Sequence, residues 1–283
     1  MNNILLSCMI LLDLFESMIF MEKLMILKKQ HGFTLIELLV VIAVITVLMG
    51  ILLPTLSKVR KQARSTVCRV NLKTVQLGHI LYMQTNDGVT IPHPGAGKGA
   101  AGMLWVNELA DNIEDVDEAR YCPEAKAKNF NPNVSTSAFV EGSVRAPWGM
   151  RHPGAPLDED YELGSYIING WLYSHQIQPQ FEEDGYDKDV EVKDSALVPA
   201  FMDGIWFDTW PRNESIDLAQ IDYQGSRSPP TLRVLINRHG RHGNIVYFDG
   251  HAEAVYLPEY FMQKWNKSCK PNPEMVNKAP IPK

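Results

Sequence analysis

An α+β fold is what this sequence predicts, one long N-terminal helix followed by a mainly antiparallel β head with long loops, and three observations carry it. Residues 33–53 run from Phe33 to Leu53 almost without polarity, and from Leu38 onward no charge appears. Bases and apolar residues then alternate at helical spacing to about residue 86. Beyond that point the chain turns acidic, is frequent in Gly, Pro and Asn, and holds short β-branched and aromatic runs.

The apolar run comes first because water cannot tolerate it exposed. At about 1.5 Å rise per residue, 21 positions make a helix of roughly 31 Å, the thickness of a bilayer's hydrocarbon core. A buried core helix is the competing reading, but only Thr46 and Gly50 interrupt Leu38 to Leu53, so a membrane span over 33–54 is expected. Glu37 is the exception in this segment. It sits in a first helical turn, where a carboxylate suits the helix dipole and can snorkel to the interface.

The residues ahead of the run give Glu37 a second role. Lys28-Lys29-Gln30-His31-Gly32 followed by Phe33-Thr34-Leu35-Ile36-Glu37 resembles the type IV prepilin cleavage and methylation signal: a basic leader ending in Gly, then Phe, then Glu as the fifth mature residue. The resemblance implies cleavage between Gly32 and Phe33 by a membrane-embedded prepilin peptidase that also methylates the new amine. It makes 1–32 a leader, with Met21 or Met25 as alternative starts that would give one of more usual length. It further implies a pilin-like fold, and an assembly role for Glu37, whose carboxylate would pair with the Phe33 amine of a neighbouring subunit because neither charge is well solvated in lipid.

Charge then separates stem from head. The first 32 residues are net zero and residues 33–86 set Glu37 against Lys58, Arg60, Lys61, Arg64, Arg69 and Lys73, net +5, which leaves −11 for the remainder of a chain whose total is −6. Both flanks of the span are basic, so counting positive charges does not orient it. The prepilin resemblance orients it instead, with the head outside the cytoplasmic membrane. Val59, Ala63, Val67, Val70, Leu77 and Leu81 recur at helical spacing, which predicts an amphipathic continuation over 55–88 with Pro54 as a kink and Asn86-Asp87-Gly88 as a left-handed stop. The stem bases lack interleaved aromatics, and a solvated face accounts for them better than nucleic acid does.

The head, 89–283, is long enough for one core. A short helix is expected over 103–113, strands over 165–173 and 196–206, and an irregular connection over 147–160. Asn244 to Phe248 and His251 to Leu257 flank Asp249-Gly250, a hairpin pattern whose tight primed turn needs positive φ at both central positions. His239, nine residues and then Asp249-Gly250 also resembles the H-X9-DG signature attached to a large group of prepilin-like proteins. That label concerns processing and says little of head chemistry.

Enzyme signatures are missing. There is no Gly-x-Ser-x-Gly, no phosphate-cradling loop and no Rossmann fingerprint, and Gly95 to Gly99 lacks the required spacing. No cofactor is expected. Zinc on His239, His242, Asp249 and His251, or calcium on Asp203, Asp208, Asp217 and Asp222, are the two metal options, both without a recognised spacing. After cleavage Cys68, Cys122 and Cys269 remain, enough for one disulfide with one thiol left over. The expected function is thus that of a structural subunit, a type II secretion pseudopilin or a subunit of a related pilus, partnered by the peptidase, other pilin-like subunits and an assembly machine. Two other classes stay open: a sugar-binding minor pilin using Trp148, Trp171, Trp206 and Trp210, and a membrane-tethered metal hydrolase using the His cluster.

Overall fold

The computed structural model describes residues 33–93, 104–110, 112–113, 116–134, 139–151, 161–174, 182–214 and 216–282. The leader, with Gly32, Met21 and Met25, and the Gly95 to Gly99 loop lie outside them. Helices are α1 Leu35–Thr85, α2 Trp105–Ala110, α3 Val116–Ala119 and α4 Pro273–Lys278. Strands are β1 Phe139–Val140, β2 Trp148–Arg151, β3 Tyr161–Gly164, β4 Tyr166–Asn169, β5 Pro199–Asp203, β6 Asp208–Thr209, β7 His242–Tyr247 and β8 Ala252–Tyr256. The chain forms two compact units, Met1–Ser57 and Lys58–Lys283.

In the first unit the described backbone is helical from Leu35, and every residue from Phe33 to Ser57 is exposed. Its apolar window has a mean hydropathy of 2.9 and none of it is buried. Aliphatic side chains make a helix here because, in lipid, only a helix satisfies each backbone polar group within one segment. Pro54 stays inside the helix. Two turns of neighbouring polarity are absorbed locally: Thr46 donates its hydroxyl to the Ile42 carbonyl and Thr55 donates to Leu52.

In the second unit α1 continues and its buried residues are Cys68, Leu72, Val75, Gln76, Gly78, His79 and Met83. This corrects the sequence reading, because Val59, Val67, Val70 and Leu77 are 57%, 48%, 57% and 51% exposed. The stem helix has apolar side chains on two faces, and the sheet covers the other one. Gln76 donates to the Phe248 carbonyl and Ser65 to Asn244, so these two polar groups of the covered face are matched to the sheet. The helix stops after Thr85 because Asp87 and Gly88 take φ of 54° and 75°, and the Gly88 N–H closes onto the Met83 carbonyl.

A five-stranded sheet runs β6-β4-β5-β7-β8, antiparallel except for the β4–β6 pair, and a three-stranded antiparallel sheet runs β1-β2-β3. The expected strand over 165–173 is β4 followed by a 3-10 turn, Gly170–Leu172, and that over 196–206 is β5. The region expected to be irregular over 147–160 contains β2, because Trp148 and Met150 fill core positions. At the β7–β8 connection, Tyr247 N–H donates to the His251 carbonyl and Gly250 N–H to Tyr247. Only Gly250 has positive φ, 92°, so this is a three-residue loop with a left-handed glycine rather than the expected primed turn.

Candidate functional site

Two places in the chain carry chemistry. At the start of α1, the Thr34 carbonyl accepts the first helical bond, from Leu38 N–H. The Thr34 hydroxyl oxygen lies 3.3 Å from the Glu37 N–H, while Thr34 N–H and O–H both donate to the Glu37 carboxylate, at 2.9 and 2.8 Å. Thr-x-x-Glu is therefore a capping box, which spends the orphan donors of a helix start on a carboxylate three residues on. This local role of Glu37 was legible in the spacing and is additional to the two roles expected of it. Phe33, just ahead, is 73% exposed.

The second place is inside the head. β5 ends on Asp203, fully buried, and the loop before β7 brings in Arg238 and His239. Arg238 uses all its guanidinium donors: Nε on Val144 O, Nη1 on Ser165 O and on Asp203 Oδ1 at 3.1 Å, Nη2 on Ser143 O and Gly204 O. Asp203 Oδ2 accepts from Asn244 N–H at 3.1 Å and lies 3.4 Å from His239 Nε2. That ring nitrogen is 3.2 Å from Cys122 Sγ, and Cys68 Sγ is 3.6 Å from each Asp203 oxygen.

Burial alone would raise the Asp203 carboxyl, but His239, Arg238 and the Asn244 N–H outweigh it and hold it well below the usual carboxylate range. Burial opposes the His239 cation too, and Asp203 overcomes that, pushing the imidazole up to about 10. Cys122, against burial, is pulled down to about 6 by its contacts with Cys68, His239 and Arg238, whereas burial pushes Cys68 up. The cluster can thus hold charge in a dry interior, because each charge has a partner at hydrogen-bond range.

Residues 27–53 match the family described as the prokaryotic N-terminal methylation motif. A probable minor fimbrial protein of Dichelobacter nodosus is 40% identical over 162 residues, covering 53% of this chain and 100% of that relative. The chain belongs to the type IV pilin-like family. The type IV wide pilus major component PilA4 of Thermus thermophilus is 39% identical over 64 residues, 23% of this chain and 49% of that relative. No solved structure matches the chain significantly. Membership implies processing by a prepilin peptidase and assembly with other pilins, and the apolar helix fits an anchor in the inner membrane.

Other expectations for this pilin-like chain fare differently. His239 and Asp249-Gly250 stand at opposite ends of the six-residue β7, about 20 Å of strand, so the H-X9-DG residues serve different places. Asp249 turns back to its own neighbour, with Oδ1 2.6 Å from His251 Nδ1, and His242 packs on Tyr256. The zinc set of His239, His242, Asp249 and His251 is not assembled. The four calcium candidates are also dispersed: Asp203 binds Arg238, Asp208 binds Arg233, and Asp217 and Asp222 cap local turns. Trp148, Trp171 and Trp206 are buried and cannot act as sugar platforms, while Trp210 stacks on His93. Cys68, Cys122 and Cys269 are free thiols. Cys68 and Cys122 escaped notice as site residues because neither sits in a Cys-x-x-Cys or comparable spacing.

Proposed function

We propose that the chain is cut between Gly32 and Phe33, methylated on Phe33, and built through its helix into a type IV pilus-like filament as a structural subunit. The observation that carries this reading is the second apolar stripe of α1. Val59, Ala63, Val67, Val70 and Leu77 are exposed at helical spacing while the opposite stripe, Cys68 to Met83, is buried. A soluble helix needs one apolar face, and a second one needs a partner. Helices of neighbouring subunits have the matching chemistry, as do the exposed side chains from Leu35 to Leu53. Both relatives bear pilus or fimbrial names, which supports a pilus over a secretion pseudopilus.

In this reading Glu37 changes partners. The capping box holds the carboxylate in the isolated chain, and cleavage creates a Phe33 amine that a neighbour's Glu37 neutralises. Glu37→Leu tests it: the variant should insert and be cleaved normally, yet leave a cation unpaired at about 1–3 kcal/mol per contact, enough along a filament to stop assembly. Mass spectrometry of membrane-extracted protein checks the start, the cut and the methyl group. Cleaved Glu37→Leu with undiminished filaments in the sheared fraction would sink the pairing.

A further inference from the structure

The geometry points to a structural zinc site inside the head, formed by Cys68, Cys122, Asp203 and His239. Their ligand atoms lie within 4.8 Å of one another. With zinc bonds of about 2.3 Å to sulfur and about 2.0–2.2 Å to nitrogen and oxygen, a tetrahedron has edges of about 3.3–3.8 Å. Three edges can be compared directly: sulfur to nitrogen 3.2 Å between Cys122 and His239, nitrogen to oxygen 3.4 Å between His239 and Asp203 Oδ2, and sulfur to oxygen 3.6 Å between Cys68 and the same Asp203 Oδ2. An ordinary ion pair would explain one of these separations. It does not explain why two thiols complete the same polyhedron.

The surroundings fit as well. Asp203 is oriented by Arg238 and by the Asn244 N–H, the outer bonds that fix a ligating carboxylate. Cys122 N–H donates to Ser165 Oγ, and the Tyr166 hydroxyl lies 3.3 Å from the carbonyls of both Cys68 and Tyr121, so Cys68 and the residue before Cys122 meet at the first residue of β4. Two thiolates and a carboxylate against Zn²⁺ and Arg238 sum to zero, which a dry interior tolerates. Cys68, Cys122 and Asp203 are 0%, 1% and 0% exposed, and His239 is 3% exposed at its side chain. His239 borders a cleft of about 870 Å³ that also touches Ser65, Arg69, Arg145 and His242, and so offers an entry path.

Four protein donors leave no open position for substrate or water, so the ion would be a staple and not a catalyst. It would join α1, the loop after α3, the end of β5 and the loop before β7. Mixed sulfur, nitrogen and oxygen donors in a tetrahedron suit zinc over calcium or magnesium.

The test uses the full chain in detergent, purified anaerobically under reductant, stripped with chelator and dialysed against zinc chloride alone or cobalt chloride alone. One zinc per chain should survive gel filtration, and cobalt should give the strong visible bands of a tetrahedral ion with thiolate charge transfer. Cys122→Ser and His239→Ala should each weaken zinc binding by at least about 100-fold, since loss of even an outer-shell partner costs 10–100-fold. Should either variant fail to fold, the cobalt spectrum of the wild-type chain decides alone. The site is overturned by absence of stoichiometric metal in the reduced wild-type chain, by a cobalt spectrum without thiolate bands, or by zinc retained undiminished in folded variants. A Cys68–Cys122 disulfide in protein isolated directly from membranes would overturn it as well.

Discussion

The two halves of α1 have similar helical character and opposite fates. Leu35 to Leu56 buries nothing, although Leu, Ile and Val dominate it, whereas Cys68 to Met83 buries a stripe that includes Gln76 and His79. Apolarity therefore does not decide burial in this helix; the availability of a partner does. The first half offers its side chains to lipid or to other chains. The second half is held by its own head, through packing and through polar contacts such as Gln76 to the Phe248 carbonyl and Ser65 to Asn244.

That contrast can be broken hardest at Arg238. Arg238→Ala leaves Asp203 buried without its guanidinium and frees the carbonyls of Ser143, Ser165 and Gly204, so unfolding of the head should become easier by about 3–5 kcal/mol. Membrane insertion and cleavage should be untouched. Thermal unfolding in detergent, with the N-terminus identified by mass, reads both; an unaltered melting curve would mean that the cluster contributes nothing.

A second effect comes from His79, held by burial at about 3 and, among the described residues, with no partner on Nε2. Its folded value lies below the ordinary 6.5, so its neutral form adds stability above pH 6.5, and this is lost as pH falls toward the folded value. On the order of 3 kcal/mol should disappear between pH 6.5 and 4. Asp208, pushed up to about 7 by burial despite Arg233 and Arg227, works in the opposite sense, with stability lost as pH rises from about 4 to 7. Comparing wild type with His79→Leu separates the two: the variant should show a shallower acid loss, and parallel curves would refute the assignment.

Smaller still is the effect at the hairpin tip. Gly250 has φ of 92°, and a β-branched side chain there should cost about 1–2 kcal/mol. Gly250→Val should lower the melting temperature of the head while leaving the processed N-terminus intact. The smallest effect sharpens the comparison from the other side. Val70 is 57% exposed, so Val70→Lys should change unfolding by less than about 0.5 kcal/mol, yet put a charge in the unpaired stripe and reduce sheared filaments. Normal filament yield from that variant would leave the stripe without a role in assembly.

What the sequence determined by itself is whatever a few adjacent residues can specify. The apolar run set the exposed first half of the long helix, Thr34 and Glu37 set the helix start, Asp87-Gly88 set its end, and Asp249-Gly250 marked a hairpin, since caps and turns are satisfied within three or four positions. The methylation signal is of the same local kind. Turn type slipped, because Asp-Gly serves a three-residue loop as readily as a primed one and the strand register chooses between them. The buried face of the stem was not legible: Val67 and Cys68 are neighbours in the chain, both faces are apolar enough, and only the position of the sheet selects Cys68, Leu72 and Val75. Nor were the tryptophans, whose ring N–H groups on Trp148 and Trp171 find the carbonyls of Tyr166 and Pro211 inside the core. The four-donor cluster is the extreme case. Cys68 meets Asp203 across 135 residues and Cys122 meets His239 across 117, so no spacing announces them. They converge because the helix, two loops and a strand end are packed on one another, and convergence in space is a property that tertiary structure alone confers.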